Sequence, residues 1–190
     1  FPFDLERAHS MSWIKDIHAS GTNEGMARDL CEEIRKSGQT VKKAGIIGGD
    51  RAMDEIPYSF VQIIKEDLKD VEIIDSCDIV EDIRMVKSRD EAGLIANSAK
   101  IADAAILEAR RKIIPGTAEM EIVAEAESYI RRNNGGQHLV VIAAPGNQNL
   151  IRPATLRKIE NGEDIILEAA VEANGYWSQI AATFTCGNQT

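Results

Sequence analysis

The dipeptide Asn174-Gly175 limits what this chain can fold into more than any other feature. It separates "EDIILEAAVEA" (163–173) from "YWSQIAATF" (176–184), two stretches of alternating apolar character. A two-residue hairpin turn of the favoured type needs positive φ at both central positions, and Asn-Gly supplies this at little cost. With that pair as the turn, Ala173 stands opposite Tyr176, Glu168 opposite Ala181, and Ala170 opposite Gln179. Side chains alternate along a strand and directly paired residues share a face. Leu167, Ala169, Val171, Ile180, Ala182 and Phe184 then form one apolar face fit for a core. Ile166, Glu168, Ala170, Trp177, Gln179, Ala181 and Thr183 form the other. On that second face Glu168 and Gln179 are diagonal neighbours, about 7–8 Å apart at the backbone. Polar groups converging among apolar ones suit a ligand pocket. They equally suit a solvent-facing sheet with incidental polar residues, which on spacing alone is the commoner arrangement.

The rest of the chain alternates helix and strand. Residues 21–38 carry Met26, Leu30 and Ile34 at helical spacing, with Gly38 as the stop. "KKAGIIGGD" (42–50) reads as a short buried strand running into a glycine turn. Its "IIGGD" lacks the spacing of a nucleotide-binding loop. Residues 57–70 read as a helix with Phe60, Ile63, Ile64 and Leu68 on one side, and "VEIIDSCDI" (71–79) as a strand. Units of this kind predict an α/β layer with a partly parallel sheet. A second unit opens near residue 82. Ser88 and Glu91 form an S-x-x-E capping box ahead of a helix over about 89–113. Pro115-Gly116 ends it, and Thr117 is expected to cap the next helix, about 118–132, which buries Ile122, Val123, Ala126 and Ile130. A turn at 133–136, a strand over 138–145 and a long connection over 146–164 lead to the hairpin. Connections of that length often line functional sites.

A net charge of −9 argues against nucleic acid as a partner. "VKK" (41–43) and "ARRK" (109–112) read as solvated helix ends or turns. No run approaches the ~18 apolar residues of a membrane span, so no membrane partner is expected. The first ten residues, "FPFDLERAHS", lack the apolar core of a signal peptide. Because the chain begins with Phe1, it is expected to be processed or cut from something longer. Cys31, Cys77 and Cys186 are odd in number and form no C-x-x-C, which fits a reduced, cytoplasmic setting. His9, His18 and His138 show no metal-ligand spacing.

Two tracts carry a family resemblance. "RMVKSRDEAGLIANSAKIADAAILEARRKIIPGTAEMEIVAEAES" (84–128) resembles the opening of the creatinase/aminopeptidase P/methionine aminopeptidase superfamily, and "TLRKIENGEDIILEAAVEANGYWSQIAATFTCG" (155–187) is similar to its first metal-binding hairpin. The resemblance covers nearly the whole chain. It implies an α+β architecture: residues 1–81 as the C-terminal part of a creatinase-type α/β N-terminal domain, and 82–190 as the first half of a pita-bread catalytic domain. In the family's peptidases two aspartates, eleven positions apart on this hairpin, bind divalent ions that help activate a water. The matching positions here are Glu168 and Gln179. Glu168 can still bind metal with a longer reach, whereas Gln179 is neutral and cannot offset an ion's charge. The family's histidine position falls near Leu150 or Ile151, neither of which is a base or a ligand. His138 begins the preceding strand and is a poor substitute. The remaining family ligands would come from a second half following Thr190.

The resemblance thus implies a hydrolase acting on a C–N bond, Xaa-Pro peptidase-like by descent but with altered metal-ligand positions. Its substrate would be a small peptide or a small C–N compound. Glu168, Gln179 and Trp177 are the expected substrate-binding residues, and no residue here is assigned a catalytic role. No cofactor is expected beyond a divalent ion (manganese, cobalt or zinc) if the family site is retained. Creatinase hydrolyses without metal on this fold, which favours an enzyme, although it relies on the histidine missing here. The alternative is a catalytically inactive relative that serves as a binding or assembly module. Family membership also implies a homodimer.

Overall fold

The computed structural model describes residues 2–38, 40–47, 56–143 and 152–187. It forms two compact units, Phe1–Val86 and Lys87–Thr190.

In the first unit a 3-10 turn, Pro2–Asp4, leads into helix α1, Leu5–Met11. Helix α2 (Asn23–Lys36), strand β1 (Lys43–Ile46), helix α3 (Tyr58–Asp67), strand β2 (Glu72–Asp75) and helix α4 (Cys77–Met85) follow. β1 and β2 pair in parallel, with Lys43 opposite Glu72 and Ile46 opposite Asp75. The core is small: Ala27 and Cys31 of α2 pack against Ile63, Ile64 and Leu68, with Phe60 partly buried beside them.

Two expectations need correction in this unit, those for β1 and for the strand over 71–79. The helix expected over 21–38 is present; its buried stripe is Ala27 and Cys31, with Ile34 beside it, while Met26 and Leu30 are each 44% exposed. Small side chains let α3 approach closely, and the larger ones are turned outward. β1 is not buried: its residues alternate between exposed and half-buried. The strand expected over 71–79 stops at Asp75, whose carboxylate accepts the Cys77 N–H at 3.1 Å and turns the chain into α4. That helix runs on through residues 81 and 82 to Met85, and the first compact unit ends at Val86.

The second unit packs helix α5 (Arg89–Arg110) and helix α6 (Glu119–Arg132) with an antiparallel sheet of strands β3 (His138–Ala143), β4 (Asp164–Ala173) and β5 (Tyr176–Thr185), in the order β3-β4-β5. The capping box is present: Glu91 N–H donates to Ser88 Oγ at 3.2 Å and Ser88 N–H to Glu91 Oε2 at 2.7 Å. Ala102, Ala105 and Ala109 are buried along α5, so the helix lies close on its neighbours. Every second residue of β4 from Ile165 to Ala173 is buried against this layer. A buried Ile, Leu or Val side chain there contributes about 1.5–3 kcal/mol. The hairpin has the expected register: Glu168 pairs with Ala181 and Ala170 with Gln179. Asn174 and Gly175 take φ of 55° and 84°.

Thr117 does not cap α6. Its carbonyl accepts Ile159 N–H at 3.0 Å, and the first amides of the helix donate to the following connection, Glu119 N–H to Arg157 O and Met120 N–H to Thr155 O, both at 3.0 Å. Backbone from a distant segment satisfies the donors that a capping side chain usually takes. Among the described residues no helix is long and apolar enough to cross a membrane.

Candidate functional site

Strand parity divides the hairpin into two faces, and pairing extends the division to β3. Val141 stands opposite Glu168 and Leu139 opposite Ala170, so both share the polar face. Glu168 is half-buried and Gln179 exposed. Their side chains meet: the Gln179 amide nitrogen donates to Glu168 Oε1. Turned over, the amide would set its oxygen against the carboxylate, so the donating orientation is the stable one. Trp177, 48% exposed, lies two residues from Gln179 on the same face and pairs with Glu172. The three expected substrate-binding residues therefore share one open face. Ile151, at the expected histidine position, lies outside the described residues, as does Leu150.

His138 pairs with Val171, whose side chain belongs to the helix-packed core. It is on the opposite side of the sheet from Glu168, and its Nδ1 lies 3.2 Å from the Gly136 carbonyl. The basic clusters are solvated and paired: Lys43 with Glu72 at 2.8 Å, and Arg111 with Glu108 at 2.6 Å. Cys31, Cys77 and Cys186 are free thiols, each buried, and burial pushes the thiols of Cys31 and Cys186 up.

Sequence reasoning missed the most heavily bonded side chain in this unit. Glu119, at the start of α6, is 0% exposed. Its Oε1 accepts from Arg152 Nη2 at 2.7 Å and Arg157 Nε at 2.8 Å. Its Oε2 accepts from Arg152 Nη1 at 2.8 Å, Thr155 Oγ1 at 2.8 Å and Thr155 N–H at 3.0 Å. Burial pushes the carboxyl up, but hydrogen bonds from Arg152, Arg157 and Thr155 outweigh it and hold the group at about 2. Arg157 also forks onto Glu163, at 2.9 and 3.1 Å, and that bond holds the Glu163 carboxyl below its ordinary range. Two arginines and Glu163 inside one connection were the only local hint.

Metallopeptidase family M24 matches residues 93–190, just over half of the chain. The chain belongs to that family. The Xaa-Pro dipeptidase of Pyrococcus furiosus is 30% identical over 166 residues, which cover 84% of this chain and 44% of that protein. The Xaa-Pro dipeptidase of Pyrococcus horikoshii is 27% identical, over 83% of this chain and 44% of that protein. This chain therefore spans less than half the length of both. Among solved structures, the prolidase from Pyrococcus furiosus superposes with a TM-score of 0.75 at 23% identity, over 96% of this chain and 54% of that one. The prolidase from Pyrococcus horikoshii OT3 gives 0.80 at 23% identity, over 100% of this chain and 51% of that one. The fold is thus α+β, an α/β unit followed by part of a pita-bread M24 domain. M24 enzymes are metallopeptidases by family name, and a two-ion centre asks several anionic oxygens to converge. Among the described residues no three of His, Cys, Asp and Glu lie close enough together to hold a metal ion. At the hairpin Glu168 offers one carboxylate, and the donor side of Gln179 already faces it.

Proposed function

We propose that this chain contributes the Glu168/Gln179 face to an M24-type hydrolase that acts on the C–N bond of a small peptide or amide-like compound. Glu168 supplies the negative charge of that face, Gln179 one amide donor and one acceptor, and Trp177 an apolar wall. The Xaa-Pro dipeptidase names of the relatives support a peptide substrate of prolidase type. The hydrogen bond from Gln179 to Glu168 supports a second element of the reading, that the hairpin holds little or no metal. A carboxylate and an amide that satisfy each other do not fit a two-ion centre, where both positions present oxygen to a cation.

The same mutual satisfaction favours a second reading, a non-catalytic binding or assembly module that keeps the fold without the chemistry. Fold likeness alone does not decide between the two. In either reading the protein is a homodimer. The family resemblance supports this.

The deciding experiment is metal content by elemental mass spectrometry on the natural full-length protein, purified without chelator and supplied with manganese, cobalt and zinc. The expected result is no stoichiometric metal, with uptake and Xaa-Pro cleavage appearing in the triple variant Glu168→Asp, Gln179→Asp, Ile151→His. About two ions per wild-type chain would overturn the metal-poor reading. Turnover of small C–N compounds by the wild type selects the hydrolase, and silence across such a screen selects the module.

A further inference from the structure

The Glu119 cluster holds both ends of the described part of the β3–β4 connection, residues 152–163. At one end Arg152 adds to β3 like a one-residue strand: Ile142 N–H donates to Arg152 O and Arg152 N–H to Ile142 O, both at 3.1 Å. Ile142 is the neighbour of Val141, the residue opposite Glu168. At the other end Arg157 grips Glu163, which immediately precedes the first residue of β4, the strand that carries Glu168. Glu163 Oε2 also accepts the Glu160 N–H at 2.9 Å. Both guanidinium groups meet on one carboxylate that has no access to solvent. The helix therefore holds the strand beside the polar face and the strand that bears it from a single point, without touching the face.

We propose that Glu119 is a positioning residue, which through Arg152 and Arg157 fixes residues 152–163 against β3 and the start of β4, and so positions the Glu168/Gln179 face. The proposal rests on the reading above that this face binds substrate. Charge pairing alone would not need such an arrangement, since either arginine could pair with Glu119 at a surface. Convergence of both on a buried acceptor sets the distance between the two ends. A side chain that only stabilised the fold would speed exchange evenly across the unit, whereas a positioning residue also loosens defined backbone pairs beyond that common change.

The test compares wild type with Glu119→Gln and Arg152→Gln in the natural full-length protein. Amide hydrogen exchange reports the clamp, and calorimetric binding of the dipeptide Ala-Pro reports the face. Glu119→Gln is expected to speed exchange at Ile142, Arg152 and Thr155 by about tenfold or more beyond the acceleration that lowered stability brings to Ile106 in the middle of α5, and to weaken Ala-Pro binding severalfold. Arg152→Gln is expected to speed exchange at Ile142 while the Glu160 amide, bonded to Glu163 at the other end, keeps its rate. It also stands in if Glu119→Gln does not fold. Unchanged exchange at Ile142 and Arg152 would overturn the proposal, as would loss of protection spread evenly to Ile106. Faster exchange with unaltered Ala-Pro binding would overturn it too, because the clamp would then not position the face. If the wild type does not bind Ala-Pro, the substrate reading fails and the positioning of a substrate face fails with it, whereas intact binding with failed exchange arms removes Glu119 alone.

Discussion

A carboxylate with no exposure to solvent persists at position 119 because five hydrogen bonds replace the water it lost. Its ordinary value near 4.5 falls to about 2, so the folded state binds its proton less tightly than the unfolded chain does. The stability it contributes is complete above about 4.5 and is lost as the pH falls through about 2. The shift corresponds to on the order of 3 kcal/mol. Urea unfolding should therefore find Glu119→Gln clearly less stable than wild type at neutral pH, with the gap closing toward about pH 2.5. A gap of constant size would sink this account of the pair. None of this was legible in the sequence, because the partners of Glu119 lie 33, 36 and 38 residues further along. Glu168 and Gln179 are only 11 apart, and a two-residue turn brings them together by local rules alone.

At the scale of elements, legibility followed the strength of the local signal. The β4–β5 hairpin could be read to the residue because period-two alternation and Asn-Gly agree on one register. Helix α2 was placed correctly along the chain, but its spacing does not name the buried stripe, since Met26 and Leu30 are as well spaced as Ala27 and Cys31. Only the close approach of α3 selects the small residues. Helix α4 was missed because "VEIIDSCDI" is apolar and β-branched up to the point where Asp75 and Ser76 break the strand. Two glycines test the difference between turn and helix. Gly175, at φ of 84°, admits a Cβ only with left-handed strain, so Gly175→Ala should cost about 1–2 kcal/mol. Gly93 lies inside α5 where an added Cβ meets nothing within 4 Å, so Gly93→Ala should stabilise by about 0.5–1 kcal/mol. Thermal unfolding of the two variants should shift in opposite directions, and a parallel shift would contradict the hairpin geometry.

At the scale of the whole molecule, two units each enclose a core of their own. The homodimer is the prediction that belongs to this scale. Light scattering coupled to size-exclusion chromatography should report twice the chain mass for the natural protein. A monomer that persists at every concentration would remove the dimer. In the second unit, the core and the proposed binding face occupy opposite sides of the same two strands. Ile165, Leu167, Ala169 and Val171 belong to the core, while Glu168, Gln179 and Trp177 lie on the other face. Such a scaffold separates inheritance of shape from inheritance of reaction: the polar pair belongs to neither core cluster, so it can change without removing a side chain from the core. A lineage built on it can acquire, trade or abandon a reaction while its architecture stays recognisable.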